Sequence, residues 1–141
     1  EMCIETGLGE EYAARLLERE GYRILSRNFH TRYGEIDLIA QKGEILAFIE
    51  VKTRAVDSLS RPAAAVSRRK QGRIILATEG YLQRFPTALQ PRFDVVEVVT
   101  EKAREFRVRG AEHLEGAFDR TMKVIIDKKG AVPDRSGRQP D

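Results

Sequence analysis

Apolar and polar positions recur with two different periods along this chain, and the change of period marks the predicted elements. Residues 8–20 carry an apolar stripe at a spacing of three to four, which predicts a helix, and Gly21 is suited to end it. Residues 22–29 alternate as a strand does. Residues 34–54 predict two further strands joined by a tight turn at Lys42 and Gly43.

The second half of the chain predicts one more helix and at least two strands. We expect Ser60 to cap a helix that has Pro62 in its first turn and that ends before Pro86. Residues 92–100 are rich in β-branched side chains and predict a buried strand, with residues 105–110 as an antiparallel partner.

The C-terminal residues carry weaker patterns. Residues 111–118 predict a turn of helix, and residues 122–127, MKVIID, predict an edge strand or a docking segment. From Lys128 onward no apolar periodicity remains, which indicates a disordered or loosely attached tail. We therefore expect one domain over residues 1–118 and a partly disordered C-terminal extension over residues 119–141.

The resulting order, α-β-β-β-α-β with a further strand after it, predicts an α/β fold. One mixed sheet would lie at its centre, with helices packed on its faces. A length of 141 residues is sufficient for a single domain with a hydrophobic core.

Charged residues of the first hairpin fall on one face. With a two-residue loop at Lys42 and Gly43, we expect Gln41 to pair with Glu44 and Asp37 with Phe48, and Glu35 to lie opposite Glu50. Because side chains alternate, one face is then entirely apolar and comprises Ile36, Leu38, Ala40, Ile45, Ala47, Ile49 and Val51. The other face carries, towards its open end, Glu35, Asp37, Glu50 and Lys52.

These charges favour metal-assisted hydrolysis of a phosphodiester. Neighbouring carboxylates raise each other's pKa unless a cation joins them, so Asp37 and Glu50 each offer an oxygen to one divalent ion. Lys52 would orient a water or meet the charge that develops on phosphate. One cysteine and two histidines leave mainly oxygen ligands, which suits Mg²⁺ or Mn²⁺. The plain alternative is an exposed sheet end with Lys52 in surface ion pairs.

A basic segment follows the hairpin. The net charge is only +3, but one stretch interrupted by a single acid contains Arg54, Arg61, Arg68, Arg69, Lys70 and Arg73. Such a cluster is suited to bind nucleic-acid phosphates, or else it forms the solvated side of a helix. If it binds phosphates, we expect the contacts to come from Arg54, Arg68, Arg69, Lys70 and Arg73. No apolar run approaches the ~20 residues of a membrane span, and the first residues show no signal peptide. We expect a cytoplasmic protein without a membrane segment.

Six segments occur in a characteristic order between residues 7 and 118: GLGEEYAARLLEREGYRIL, RN, GEIDLIA, IEVKTR, PAAAVSRRK and RFDVVEV. In this order they resemble the UPF0102, or YraN-like, proteins. Those proteins are placed among the restriction-endonuclease-like folds of the PD-(D/E)xK superfamily and are similar to archaeal Holliday-junction resolvases. The resemblance implies an αβββαβ core with a central mixed sheet flanked by helices.

The resemblance also implies roles for individual residues. Asp37 matches the motif aspartate, Glu50 and Lys52 match the E-x-K pair, and Glu10 matches the glutamate of the first helix, which adds Glu10 to the catalytic residues and metal ligands. Ile36 stands where such motifs usually have proline. Glu35 has no standard role: it either supports Glu50 from outside the ligand set or caps the loop at Gly34.

A Mg²⁺- or Mn²⁺-dependent DNA endonuclease, acting on branched DNA in repair or recombination, is the function that this resemblance implies. DNA is favoured over RNA as the partner. A homodimer is implied as well, because resolvases cut two strands symmetrically. A second class of function stays open, namely a nucleic-acid-binding or partner-recruiting module on the same fold that catalyses nothing.

Overall fold

Two helices and five strands follow one another in the part of the chain that the structure describes. The computed structural model describes residues 2–56, 66–102 and 105–119, with side chains from Gly7 onward. The helices are α1 (Met2–Arg19) and α2 (Arg68–Arg84). The strands are β1 (Arg23–Thr31), β2 (Gly34–Lys42), β3 (Ile45–Ala55), β4 (Gln90–Lys102) and β5 (Glu105–Phe118).

The strands form one mixed sheet whose spatial order follows the sequence, β1-β2-β3-β4-β5. Strands β3 and β4 pair in parallel, and the other three neighbouring pairs are antiparallel. A parallel pair needs a crossover connection, and α2 lies within the connection between β3 and β4. The predicted α/β class, with a mixed sheet flanked by helices, is confirmed.

A hydrophobic core lies on each face of the sheet, because β3 turns alternate side chains to opposite sides. Under α1 the buried residues are Ala13, Ala14, Leu17, Tyr22, Leu38, Ala40, Ala47, Ile49, Val51, Val96 and Val98. Under α2 they are Ile36, Ile39, Leu46, Phe48, Val66, Ile74, Ala77, Tyr81, Phe93, Val95, Leu114, Ala117 and Phe118. Each helix therefore packs on the sheet through its own cluster.

The turn between β2 and β3 lies one residue later than predicted. Lys42 pairs with Ile45, so the two turn residues are Gly43 and Glu44. Gly43 has a φ of 59°, a left-handed conformation that suits glycine at the first position of such a turn. The predicted pairing of Gln41 with Glu44 is therefore wrong, and the register differs from it by two residues. A shift of two keeps each side chain on its face, which is why the apolar face of β3 is found as expected.

Helix α2 begins later than predicted. The hydroxyl of Ser67 accepts the Lys70 N–H at 3.1 Å and caps the helix, which starts at Arg68. The predicted cap at Ser60 is therefore wrong, and Ser60 itself lies outside the described residues. Helix α1 starts earlier than predicted and ends before Gly21, whose φ of 100° suits the glycine that commonly follows a helix.

Strand β5 is longer than predicted. The predicted turn of helix over residues 111–118 is wrong, because this segment continues the strand and pairs with β4 as far as Phe93 and Phe118. Gly116, with a φ of 61°, lies close to a shift in the pairing. Beyond it, Ala117 and Phe118 are buried under α2, and this burial favours the strand.

Several predictions fall on residues outside the described ranges. They concern the edge strand or docking segment at residues 122–127 and the tail from Lys128. Neither of the two described helices is long and apolar enough to cross a membrane.

A buried polar cluster joins the end of α1 to β4 and β5. Asp94 is 0 % exposed, and its carboxylate accepts hydrogen bonds from Arg92 and from His113, each at 2.8 Å. The other ring nitrogen of His113 lies 2.8 Å from Glu20 of α1. Burial alone would raise the pKa of Asp94, but the hydrogen bonds from His113 and Arg92 outweigh it and lower this pKa. Burial alone would lower the pKa of His113, but Asp94 and Glu20 raise it, so we infer a protonated histidine between two carboxylates.

Candidate active site

Asp37 and Glu50 lie where β2 and β3 separate. The regular pairing that begins at the turn stops at Leu38 and Ile49, and Asp37 and Glu50 are the next residues. Beyond this point Asp37 Oδ2 accepts the N–H of Val51 at 2.8 Å, so a side chain takes the place of a strand partner. The Asp37 carboxyl is thereby held between the two strands, next to Glu50.

The apolar residues on the two sides of Asp37 in β2 point to opposite faces of the sheet. Leu38 is buried under α1, whereas Ile36, two residues earlier, is buried under α2. Strict alternation would place both on one face, so the predicted apolar face is wrong for Ile36. On the neighbouring β1, Asn28 has a φ of 52°, a left-handed conformation in which asparagine is enriched. This irregularity in β1 lies next to the carboxyl cluster, since Asn28 hydrogen-bonds Glu10.

Glu10 reaches the cluster because α1 packs closely on β3. Gly9 is buried, and a Cβ atom there would overlap Oγ1 of Thr53. One turn later Ala13 is 0 % exposed, and its small side chain permits the same close approach. Glu10 is thus brought within hydrogen-bond distance of Asp37.

A methyl group added at Gly9 is expected to disturb this packing. Alanine normally stabilises a helix by ~0.5–1 kcal/mol relative to glycine. We nevertheless expect Gly9→Ala to lower the free energy of unfolding by about 1–3 kcal/mol, as overpacking does. Gly7→Ala is the matched control, because nothing lies within 4 Å of a Cβ at Gly7 and stability should rise slightly. Urea unfolding of both variants checks this, and equal effects would contradict a close approach at Gly9.

Burial and the charge of Asp37 raise the pKa values of the neighbouring carboxyls of Glu10 and Glu50. Burial, then the charge of Asp37, raises the pKa of Glu50 to about 7. Burial, then Asp37, also raises the pKa of Glu10 to about 7. The pKa of Asp37 is raised by burial, although the Val51 N–H opposes this. The cluster therefore retains protons near neutral pH that a divalent cation would displace.

Lys70 joins this cluster from α2. Its Nζ lies 3.3 Å from Glu50 Oε2, and its charge lowers the pKa values of both Glu50 and Asp37. Among the predicted nucleic-acid contacts, Lys70 is thus the one placed directly at the acids. The sequence does not indicate that Lys70 lies near the acids. Ser67, three residues earlier, indicates only where the first turn of α2 begins, because serine commonly caps helices.

Lys52 and Arg54 extend the polar face of β3 beyond Glu50. Lys52 is half-buried, and its partner in the parallel register on β4 is Glu97. Arg54 Nε contacts Oε2 of Glu97 at 2.8 Å, with the acid almost fully buried. The guanidinium of Arg54, predicted to contact phosphate, is therefore engaged in this ion pair.

The remaining predicted basic contacts lie along α2. Arg68 and Arg69 are exposed in its first turn, and Arg73 is exposed one turn later. No acid balances them within this first turn. They add exposed positive charge to the helix that carries Lys70.

Glu35 points to β1 rather than to Glu50. Its Oε1 lies 2.7 Å from His30 Nε2, and the two residues are partners in the β1–β2 register. The predicted position opposite Glu50 is wrong, because the register of β2 and β3 differs by two residues from the predicted one. The loop at Gly34 is instead capped by Thr31, whose Oγ1 accepts the Gly34 N–H at 3.3 Å. The charge of Glu35 still raises the pKa values of Glu10 and Asp37.

The donor chemistry of the cluster fits a hard divalent cation. Among the described residues, no three acidic, histidine or cysteine side chains already surround one point at ligand spacing. Mg²⁺ does not require such a cage, since it is commonly held by one or two carboxylates together with substrate phosphates. Asp37 and Glu50 are such a pair, and Glu10 lies beside them.

Comparison with known proteins places the chain in a family. The model of the uncharacterised protein family UPF0102 matches residues 9–98. A UPF0102 protein of Rhodopseudomonas palustris is 45 % identical over 122 residues, covering 84 % of this chain and 87 % of the relative. A UPF0102 protein of Syntrophomonas wolfei is 45 % identical over 102 residues, covering 71 % of this chain and 89 % of the relative. The resemblance found in the sequence is thereby confirmed, and the chain belongs to the UPF0102 family.

Proposed function

We propose that this protein is a Mg²⁺- or Mn²⁺-dependent endonuclease that hydrolyses phosphodiester bonds in DNA. The observation that carries the proposal is the contact between Asp37 and Glu50 at the separation of β2 and β3. Two buried carboxyls at one point, with raised pKa values, are destabilising unless a cation or protons compensate them. Binding a divalent ion there relieves this repulsion.

Asp37 and Glu50 would hold the metal, with Glu10 as a third oxygen donor. A bound divalent ion polarises a phosphoryl oxygen and lowers the pKa of a water ligand. Lys70 contacts Glu50, and Lys52 lies two residues beyond Glu50 on β3; both would supply positive charge for the charge that develops on the phosphate. The Glu10 carboxyl, with a pKa of about 7, is able to accept or return a proton near neutral pH.

The exposed arginines of α2 support DNA as the substrate. Arg68, Arg69 and Arg73 are exposed on the helix that also carries Lys70, and Lys70 contacts Glu50, so a backbone bound along this helix surface would lie near the acids. Phosphate contacts of this kind position a duplex without reading its sequence. The same surface supports the second candidate, a module that binds nucleic acid and turns nothing over.

Lys52→Ala is expected to slow Mn²⁺-dependent cleavage of DNA by about 10²-fold, the effect of removing one group that stabilises developing charge. Lys42→Ala is the matched control: Lys42 is an exposed lysine at the turn end of the same hairpin and should leave the rate unchanged. Single-turnover cleavage of labelled junction, flap, duplex and single-stranded substrates measures both.

Two results would overturn the proposal. One is equal cleavage by the Lys52→Ala variant and the wild type, which would assign the activity to another site or to a contaminant. The other is salt-dependent DNA binding without any cleavage and without Mn²⁺ binding in a calorimetric titration. That result would favour the binding module.

A further inference from the structure

A pocket lies directly beside the acid cluster. The loop between β1 and β2 forms one wall, and the first turns of α2 form the other, enclosing about 260 Å³. Lys70 lines this pocket and also contacts Glu50 at 3.3 Å, so one side chain borders both. Whatever occupies the pocket is therefore adjacent to the point at which a phosphate would meet the carboxyls.

The aromatic ring of Tyr33 stands at this pocket and is 53 % exposed. The guanidinium of Arg32 lies 5.8 Å from the ring centroid. Thr31 holds the loop, because its Oγ1 accepts the N–H groups of Tyr33 at 3.0 Å and of Gly34 at 3.3 Å. An exposed ring on a hydrogen-bonded loop offers a flat face to a ligand at little cost in conformational entropy.

The same loop is seated firmly on α2. A Cβ atom at Gly34 would lie 2.7 Å from the carbonyl oxygen of Arg73, so only glycine permits this close approach. The contact fixes the distance between Tyr33 on one wall and the side chains of Lys70 and Arg73 on the other. The pocket is thus an ordered feature of the fold rather than a gap between loosely packed segments.

The pocket combines the phenol ring of Tyr33 with three cations. Arg32, Lys70 and Arg73 contribute positive charge, while the acid Glu35 is paired with His30. The volume is below the ~300–1,000 Å³ typical of sites for drug-sized ligands, which points to one small unit. A π-face for a base and cations for its phosphate are the features by which proteins hold single-stranded nucleic acid.

We infer that this pocket holds one unpaired nucleotide next to the phosphate that is cut, with its base on Tyr33 and its phosphate between Lys70 and Arg73. A base inside a duplex has both faces covered by neighbours and cannot stack on the ring. The inference rests on the proposed function and makes it specific. The substrate is DNA with an unpaired segment, such as a flap or a gap, rather than an uninterrupted duplex.

Binding measured without metal tests the inference separately from catalysis. Fluorescence anisotropy in EDTA compares a labelled DNA duplex with the same duplex bearing a short single-stranded flap. We expect tighter binding to the flap substrate. Tyr33→Ala should weaken this binding about 10- to 100-fold, as the loss of one base–aromatic stack does, and leave duplex binding unchanged. Tyr33→Phe keeps the π-face and should bind as the wild type does.

Phe85 supplies a matched control at the other end of α2. Its ring is 46 % exposed and has the guanidinium of Arg84 5.2 Å from its centroid, so Phe85→Ala removes a similar pair far from the pocket. Flap binding should be unaffected in this variant. Circular dichroism establishes that each variant is folded.

Three results would overturn the pocket assignment: equal affinity for duplex and flap, no DNA binding at all, or an equal loss on both substrates in Tyr33→Ala. Tighter binding to the matching RNA flap would overturn the choice of DNA. A flap preference that depends on Tyr33, found without cleavage in Mn²⁺, would keep the pocket and refute the nuclease. Cleavage at the same rate with and without a flap, and with and without the Tyr33 ring, would keep the nuclease and refute the pocket assignment.

Discussion

The Asp37→Asn variant is expected to cleave DNA about 10³-fold more slowly than the wild type. Asp37 is the acid that both other carboxyls contact, since it hydrogen-bonds Glu10 and Glu50. Metal-assisted stabilisation of charge amounts to several kcal/mol, and a loss of roughly 4 kcal/mol corresponds to about 10³ in rate. Asparagine keeps an oxygen that can accept the Val51 N–H, so the separation of the strands is preserved. Single-turnover cleavage with Mn²⁺ measures the effect.

Stability measurements distinguish a lost metal ligand from a damaged fold. The charge of Asp37 helps to raise the pKa of Glu50, so its removal should lower that pKa and leave the free energy of unfolding unchanged or higher. Glu44→Gln, which neutralises an exposed acid in the turn of the same hairpin, should cleave at the wild-type rate. If Asp37→Asn also cleaves at that rate, Asp37 is not part of the site.

The Asp94→Asn variant is expected to lose about 3–5 kcal/mol of stability, the usual cost of removing one member of a buried charge pair. Asp94 is 0 % exposed, and the substitution leaves Arg92 and His113 without their carboxylate. Since Asp94 lies on β4 and His113 also contacts Glu20 of α1, the loss loosens the packing of α1 on the sheet. Urea unfolding near neutral pH measures the difference.

Glu115→Gln is the control for this prediction. Glu115 is 55 % exposed and lies 3.8 Å from the same Arg92, so its loss should cost only ~0–1 kcal/mol. A similar small loss in Asp94→Asn would mean that the buried cluster contributes little to the free energy of unfolding.

The dependence of stability on pH gives the same cluster a second signature. The folded pKa of Asp94 is lowered from 3.8, so its contribution is present above that pH and is lost as the pH falls through the folded value. The folded pKa of His113 is raised from 6.5, so its contribution is complete below that pH and is lost as the pH rises through the folded value. The stabilisation by the cluster is therefore greatest between these limits. Asp94→Asn should lower this plateau and reduce the loss of stability on its acidic and alkaline sides.

Local sequence patterns were sufficient to predict most helices and strands, but not always which face of an element is buried. The alternation in residues 45–51 correctly divides β3 between two cores, because that periodicity is a property of neighbouring residues. The helical stripe of α2 is less informative. Leu76 is apolar and yet 48 % exposed, whereas the polar residues Gln71 and Thr78 are buried. A helix face is selected by the surface it packs on, and that surface comes from distant strands.

The register between neighbouring strands is likewise not determined by local sequence patterns. The hairpin turn is located by Gly43, but two registers keep the same faces, and only the strand contacts choose between them. The observed register brings Glu50 to the level of Asp37 and turns Glu35 to His30. A change of two residues thus decides which acids meet.

Sequence patterns and the family resemblance are sufficient to predict the order of helices and strands, the burial of β3 on two sides, and the candidate acids Glu10, Asp37 and Glu50. They do not predict which charges are neighbours, namely Lys70 with Glu50, Arg54 with Glu97, and His113 with Asp94. These pairs depend on how the segments pack. Periodicity arises from residues a few positions apart, whereas ion pairs form within 4 Å between segments brought together by packing, and short-range sequence patterns do not encode that distance.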